Sequence, residues 1–308
     1  MIKYYAPLET KYAEVENAEN AKWIYLESPS TKEINDTAIN YQIPLDFLTD
    51  PLDLDETSRI EYDDNFTLII MRLPTRSGSD DLPFITIPFG IILFDDMVIT
   101  ISNGQNELLT PFMKGINKKF ELTKQSFILN VFNRNALLYL TFLKVIDRRI
   151  SEIETELNNT MRNKELTRLL KLDKCLVYFT TSLKSNEVTL ERLQRSRWMH
   201  EDVNSDDLLE DVIIDNKQAI EMASIYSNIL KRTTESFSSI ISNNLNIVMK
   251  FLTSITIILM LPTLVASFYG MNVDLPLGHH PFAFWILISL SVLISLIVII
   301  FFLKNKLF

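Results

Sequence analysis

The chain has 308 residues, 39 acidic against 30 basic, a formal net charge of −9, and a 47% share of hydrophobic residues. An acidic chain with no basic stripe argues against nucleic-acid binding. The single cysteine, Cys175, excludes an intrachain disulfide and reads as a small core residue in a reducing compartment.

The N-terminus, MIKYYAPLETKYAEVENAE, has no apolar stretch, so no cleaved signal peptide is expected. Eight of the eleven prolines and four of the six glycines precede residue 116, and residues 116–261 contain neither. Residues 1–120 therefore read as an α/β domain, 121–245 as a long helical hairpin and stalk helix, and 246–308 as an apolar hairpin. Strands are expected over 23–26, 66–73, 84–94 and 97–102, between the turn signals Ser28-Pro29-Ser30 and Asp95-Asp96. Helices are expected over 33–41 and 107–119. Further on, Ile146, Ile150, Ile153, Leu157 and Met161 form a helix-packing stripe. A turn is expected between Asn158 and Asn163, then a helix over 164–198. Asn204 or Ser205 is placed to cap a third helix, with Asp206 and Asp207 at its positive end. No stop signal follows before the apolar region, so stalk and first span read as one helix.

Between Lys250 and Lys304 there is no lysine or arginine, and the only acidic residue is Asp274. Two spans are expected, about 248–269 and 282–303, each close to the roughly 20 residues that cross a bilayer core. Lys231, Arg232 and Lys250 precede the first, and Lys304 and Lys306 follow the second. The positive-inside rule then puts both termini in the cytoplasm.

Glu235, Ser239, Ser242, Asn246, Met249, Thr253, Thr256, Met260, Thr263, Ser267 and Gly270 alternate in steps of four and three. This is a heptad seam with polar, small or thioether side chains where a packed coiled coil carries Leu and Ile. Serine and threonine alone would also suit a close-packed helix interface. Asn246, Met249 and Met260 are too bulky for that, so the seam reads as a water-filled pore lining. Two spans cannot enclose a pore, so several copies must surround one axis, with the second span as a lipid-facing outer ring.

A mouth that recognises a strongly hydrated cation, one that gives up its waters reluctantly, needs neutral oxygen acceptors. Asn272 offers an amide oxygen at the mouth, with the carbonyls of Tyr269 and Gly270. Thr263, Thr256 and Asn246 offer oxygens deeper in. Met249, Leu252 and Met260 are candidates for apolar gating constrictions, and Glu235 for an acidic ring at the cytoplasmic end. His279 and His280 beside Asp274 have metal-binding chemistry but read as solvated loop residues. No phosphate loop, Cys/His cluster or nucleophile elbow signals an enzyme, and no organic cofactor is expected.

Tyr269-Gly270-Met271-Asn272, closing the first of two C-terminal spans, resembles the signature of the CorA family of divalent-cation channels. Asn246, Met249-Lys250, Leu252-Thr253, Met260 and Thr263 look like that family's pore helix. The resemblance implies an α+β cytoplasmic domain, long helices and a transmembrane hairpin, assembled as a funnel-shaped homopentamer in the inner or plasma membrane. It implies passive conduction of Mg²⁺, and of Co²⁺ or Ni²⁺, gated by intracellular Mg²⁺ between neighbouring cytoplasmic domains. Counting back from the motif without gaps, Asp211 falls where the family places its regulatory carboxylate. Asp207 shares its face, and Asp80 or Asp81 is the candidate partner from the next subunit. The alternative is a solvated acidic face formed by Asp207, Asp211 and Asp215. Two features depart from the family: the loop reads Val273-Asp274-Leu275-Pro276-Leu277-Gly278 rather than a Met-Pro-Glu-Leu stretch, and only Lys304 and Lys306 replace a terminal lysine run. A zinc-transporting branch usually has isoleucine at the position of Met271, so methionine points to magnesium. The competing readings are a zinc or cobalt transporter of the same superfamily and a membrane-tethered sensor or scaffold.

Overall fold

A computed structural model describes residues 1–8, 11–16, 18–78, 82–104, 107–114, 123–160, 163–201, 205–273, 276 and 280–305. Seven strands form one sheet: β1 (Ile2–Leu8), β2 (Lys11–Val15), β3 (Trp23–Glu27), β4 (Arg59–Asp63), β5 (Phe66–Arg76), β6 (Phe84–Phe94) and β7 (Met97–Ser102). Their order is β2-β1-β3-β7-β6-β5-β4, antiparallel except where β3 and β7 run parallel. The helices are α1 (Thr31–Tyr41), α2 (Leu45–Thr49), α3 (Thr110–Lys114), α4 (Lys124–Thr160), α5 (Asn163–Gln194), α6 (Ser205–Tyr269) and α7 (Ala283–Lys304).

The four expected strands are present as β3, β5, β6 and β7, while β1, β2, β4 and α2 are additional. The helix expected over 107–119 starts only at Thr110, with Pro111 in its first turn, where a missing N–H costs nothing; residues 115–119 of that expectation lie outside the described ones. The helix expected over 164–198 stops at Gln194. There Ser196 turns its hydroxyl onto the Leu193 carbonyl at 2.6 Å, and its backbone N–H reaches the same oxygen at 3.0 Å, so the α-helical ladder closes.

Both faces of the sheet are covered, so its strands alternate between two cores rather than between core and water. Trp23, Tyr25, Ile69, Met71, Leu73, Phe89 and Ile91 face a core shared with Phe127, Phe132, Leu190, Leu193, Leu209 and Val212. Ile24, Leu26, Leu68, Ile70, Ile92, Ile99 and Ile101 face Ile34, Phe47 and Leu48. A capping box starts α1: Ser30 Oγ accepts from the Glu33 N–H, and the Glu33 carboxylate accepts from the Ser30 N–H at 2.8 Å. In the stripe along α4, Ile146, Ile150, Ile153 and Leu157 are all buried.

One buried amide docks the helices onto the sheet. The β4 ladder ends at Ile70, which leaves the Arg72 backbone without a strand on that side. Asn186 of α5 takes the place of the missing strand: its Oδ1 accepts from the Arg72 N–H, and its Nδ2 donates to the Arg72 carbonyl, each at 2.8 Å. Asn135 and Tyr139 of α4 donate to the same carbonyl at 3.0 and 3.1 Å. Because sheet and helices share this core, the chain divides inside α6, into Met1–Thr234 and Glu235–Phe308.

Candidate functional site

α6 runs unbroken over 65 residues, and α6 and α7 are each long and apolar enough to cross a membrane. Only 6% of each apolar window is buried, whereas the core helix of a water-soluble protein would be mostly covered. The two helices flank a groove of about 650 Å³, lined by Pro262, Val265, Ala266 and Tyr269 on α6 and by Leu287, Ser291, Ser295 and Ile299 on α7. On α6, Ser254 is buried, and Ile258, Leu261, Pro262, Val265 and Tyr269 are half-buried. The seam lies off this face: Glu235, Asn246, Met249, Thr253, Thr256, Met260, Thr263 and Ser267 are all exposed. Exposure does not single the seam out, because Ile257, Leu259 and Leu264 are 39, 65 and 52% exposed and Leu252 is 57% exposed. Polarity does.

The three seam threonines have a common orientation. Thr253, Thr256 and Thr263 donate to the carbonyls of Met249, Leu252 and Leu259 at 2.8, 2.8 and 3.0 Å. Each proton is spent on the helix itself, so the oxygen presents lone pairs outward. At the end of α6 the Gly270 N–H still donates to the Ala266 carbonyl at 2.9 Å, and the Met271 N–H reaches the Phe268 carbonyl at 3.3 Å. Gly270 does not take a left-handed backbone; among the described glycines only Gly104 has positive φ. A Cβ at position 270 would stand 3.3 Å from the Ala266 carbonyl oxygen. Asn272 is exposed on the bend after the helix and makes no hydrogen bond among the described residues. Tyr269 ties the following loop down through its hydroxyl, which donates to the Pro276 carbonyl at 3.1 Å.

Of the trio between α6 and α7, Asp274 and His279 lie outside the described residues. His280 uses Nδ1 to accept the Phe282 N–H at 3.2 Å, at the start of α7. Asp207 and Asp211 are exposed on α6, whereas Asp215 is half-buried and accepts from Asn133 at 3.1 Å. Asp215 is thus tied to α4 rather than standing free beside Asp211. Asp80 and Asp81 lie outside the described residues, and no group of three metal-binding side chains converges among the described ones.

The family model described as CorA-like Mg2+ transporter protein matches residues 18–304. The chain belongs to the CorA family. It is similar to the cobalt/magnesium transport protein CorA of Methanocaldococcus jannaschii, 27% identical over 92% of this chain and 90% of that one. It is also 22% identical to the Thermotoga maritima protein of the same name, over 84% of this chain and 75% of that one. Among solved structures, the complete CorA magnesium transporter from M. jannaschii superposes with a TM-score of 0.85 at 26% identity, covering 98% of this chain and 97% of that one. Membership sets this chain among transport proteins rather than enzymes.

In this CorA-family chain the elbow between α5 and α6 carries a group that sequence reading passed over. His200 places Nδ1 2.5 Å from Asp206 Oδ1 and Nε2 2.6 Å from the Gln194 carbonyl oxygen. Two acceptors facing two ring nitrogens are both satisfied only by the imidazolium. The Gln194 carbonyl, and then Asp206, hold the pKa above its usual 6.5. A raised folded pKa stabilises fully below the unfolded value and loses that contribution as pH rises through the folded one. The unfolding midpoint of the parent should exceed that of His200→Gln at pH 6, and the gap should close by pH 9. A gap independent of pH would show that the contact is only packing.

Proposed function

We propose that this chain is a passive, homo-oligomeric Mg²⁺ channel of the cell membrane, with Co²⁺ and Ni²⁺ as further permeant ions and both termini cytoplasmic. The observation that carries the reading is the polar seam of α6, which lies off the face packed on α7. Lipid cannot satisfy that seam, whereas a ring of α6 helices around water can. A membrane tether has no need of it. Pentameric assembly and Ni²⁺ are what the family resemblance implies, whereas cobalt and magnesium are the ions named for the relatives.

The hydroxyl orientation supports transport of a hydrated ion. Water bound to Mg²⁺ turns its hydrogens outward, so a wall that meets it must accept. Thr256 and Thr263 do so because their own protons are spent, and Asn246 and Asn272 add amide oxygens. Met249, Leu252 and Met260 supply the narrow dry stretches that close the path, and Glu235 draws cations to its inner end. Single cysteines test the lining. Cysteine at position 256 or 263 should react with charged, water-borne thiol reagents in membranes and crosslink between subunits, whereas cysteine at 257 should react about tenfold more slowly. Equal rates around the helix would remove the pore assignment.

Gating completes the reading: Mg²⁺ bridges Asp211, beside Asp207, to Asp80 or Asp81 of the next subunit and holds the ring shut. Millimolar Mg²⁺ should protect the parent from protease severalfold and leave Asp211→Lys unprotected. Equal protection of both would mean that the carboxylates form only a solvated face.

A further inference from the structure

A cavity of about 500 Å³ opens between the β5–β6 hairpin end, α4 and α5, with Arg76, Arg149, Arg168 and Lys171 in its wall and Glu152 as the only acidic residue of its lining among the described residues. In a chain of net charge −9, this is a local reversal of sign. Arg168 is committed within the chain, to Glu156 at 2.6 Å and Glu165 at 2.8 Å. Lys171 also has a partner of its own.

Arg76 and Arg149 differ. Neither forms an ion pair among the described residues, and each lies over an aromatic ring instead. The Arg76 guanidinium carbon is 5.6 Å from the Phe142 centroid, and that of Arg149 is 5.5 Å from the Phe84 centroid. The two rings are themselves stacked, 4.9 Å apart. A cation–π contact of this kind holds each guanidinium beside its ring and uses none of its N–H groups. Two such forks beside further cations match a multiply charged oxyanion, which accepts paired N–H bonds and relieves the repulsion among them.

We propose that this cavity binds a phosphate-bearing anion, its oxygens taken by Arg76 and Arg149. The volume lies within the usual range for small ligands. Phe84 and Phe142 are almost fully buried beneath the guanidinium groups, so no open ring face is left for a nucleobase. Recognition is of the phosphate groups themselves, whether from a soluble anion or a lipid headgroup.

The test is calorimetric titration of the full chain with inorganic pyrophosphate, in Mg²⁺-free buffer, in nanodiscs of neutral lipid. Saturable binding is expected, weakened about tenfold in Arg76→Gln and in Arg149→Gln, since each loses a charge-assisted pair worth about 1.5 kcal/mol. Arg195→Gln, an exposed arginine outside the cavity, should bind like the parent. Discs containing phosphatidic acid separate the sources: unchanged pyrophosphate affinity assigns a soluble anion, and competition assigns a headgroup. No saturable binding, or equal loss in Arg195→Gln, would overturn the proposal. Binding seen only after Asp80→Asn and Asp81→Asn would overturn it too, because the cations would then serve the chain's own hairpin loop.

Discussion

Asn272→Ala should abolish Mg²⁺ flux into proteoliposomes while the assembled protein elutes unchanged. The side chain is exposed beyond the end of α6 and makes no hydrogen bond among the described residues, so its loss leaves the fold untouched. What is lost is one amide acceptor per subunit at the mouth. Each is worth about 1 kcal/mol toward a hydrated ion, and a ring multiplies the loss by the number of copies. Flux at low Mg²⁺ should therefore fall on the order of a thousandfold. Gly270→Ala should reduce flux less severely, because its methyl group needs only a few tenths of an ångström of adjustment against the Ala266 carbonyl. Parent-like flux through Asn272→Ala would show that the mouth lies elsewhere.

Gly90→Ala should be the most damaging single methyl in the α/β domain. A Cβ at that position would lie 2.4 Å from Pro51 Cγ and 2.7 Å from Ile101 Cγ2. Neither neighbour can yield cheaply: one is a pyrrolidine ring, the other a β-branched side chain buried in the sheet. Residue 90 pairs with Ile70 on one side and Ile101 on the other, so the strand has no free edge along which to shift. Overpacking of this kind costs up to about 3 kcal/mol, which should lower the unfolding midpoint of the domain by roughly 5–10 °C. Gly78→Ala is the control, because a Cβ there meets nothing within 4 Å. If both variants melt alike, the close approach of Pro51 to β6 is not real.

The polar seam of α6 was legible because its signal is local and periodic. A polar residue at every third or fourth position of a charge-free helix stands out in one dimension, as does a pair of apolar runs. The strands with dense β-branched residues were legible for the same reason. β1 and β4 were not, since Lys3 and Pro7 interrupt one and Arg59, Glu61 and Asp63 alternate through the other, so neither carries a hydrophobic run. Asn186 was invisible as a docking residue, because nothing in its neighbours on α5 announces a gap in a sheet more than a hundred positions away. His200 was missed for a related reason: its two acceptors come from different helices.

By itself, the sequence determined that one helix carries a polar seam, that two C-terminal helices are long and apolar enough to cross a membrane, and that the first of them ends at Tyr269. Those properties depend on residue type and helical period alone. Only the tertiary structure decided that α7 packs on a different face of α6 from the seam, and that Asp215 is tied to Asn133 while Asp211 is exposed with no partner among the described residues. It also decided that Arg76 and Arg149 are held over stacked rings on one cavity wall. Such facts depend on distances between segments remote in the chain, and residue spacing along one strand or helix carries no information about them.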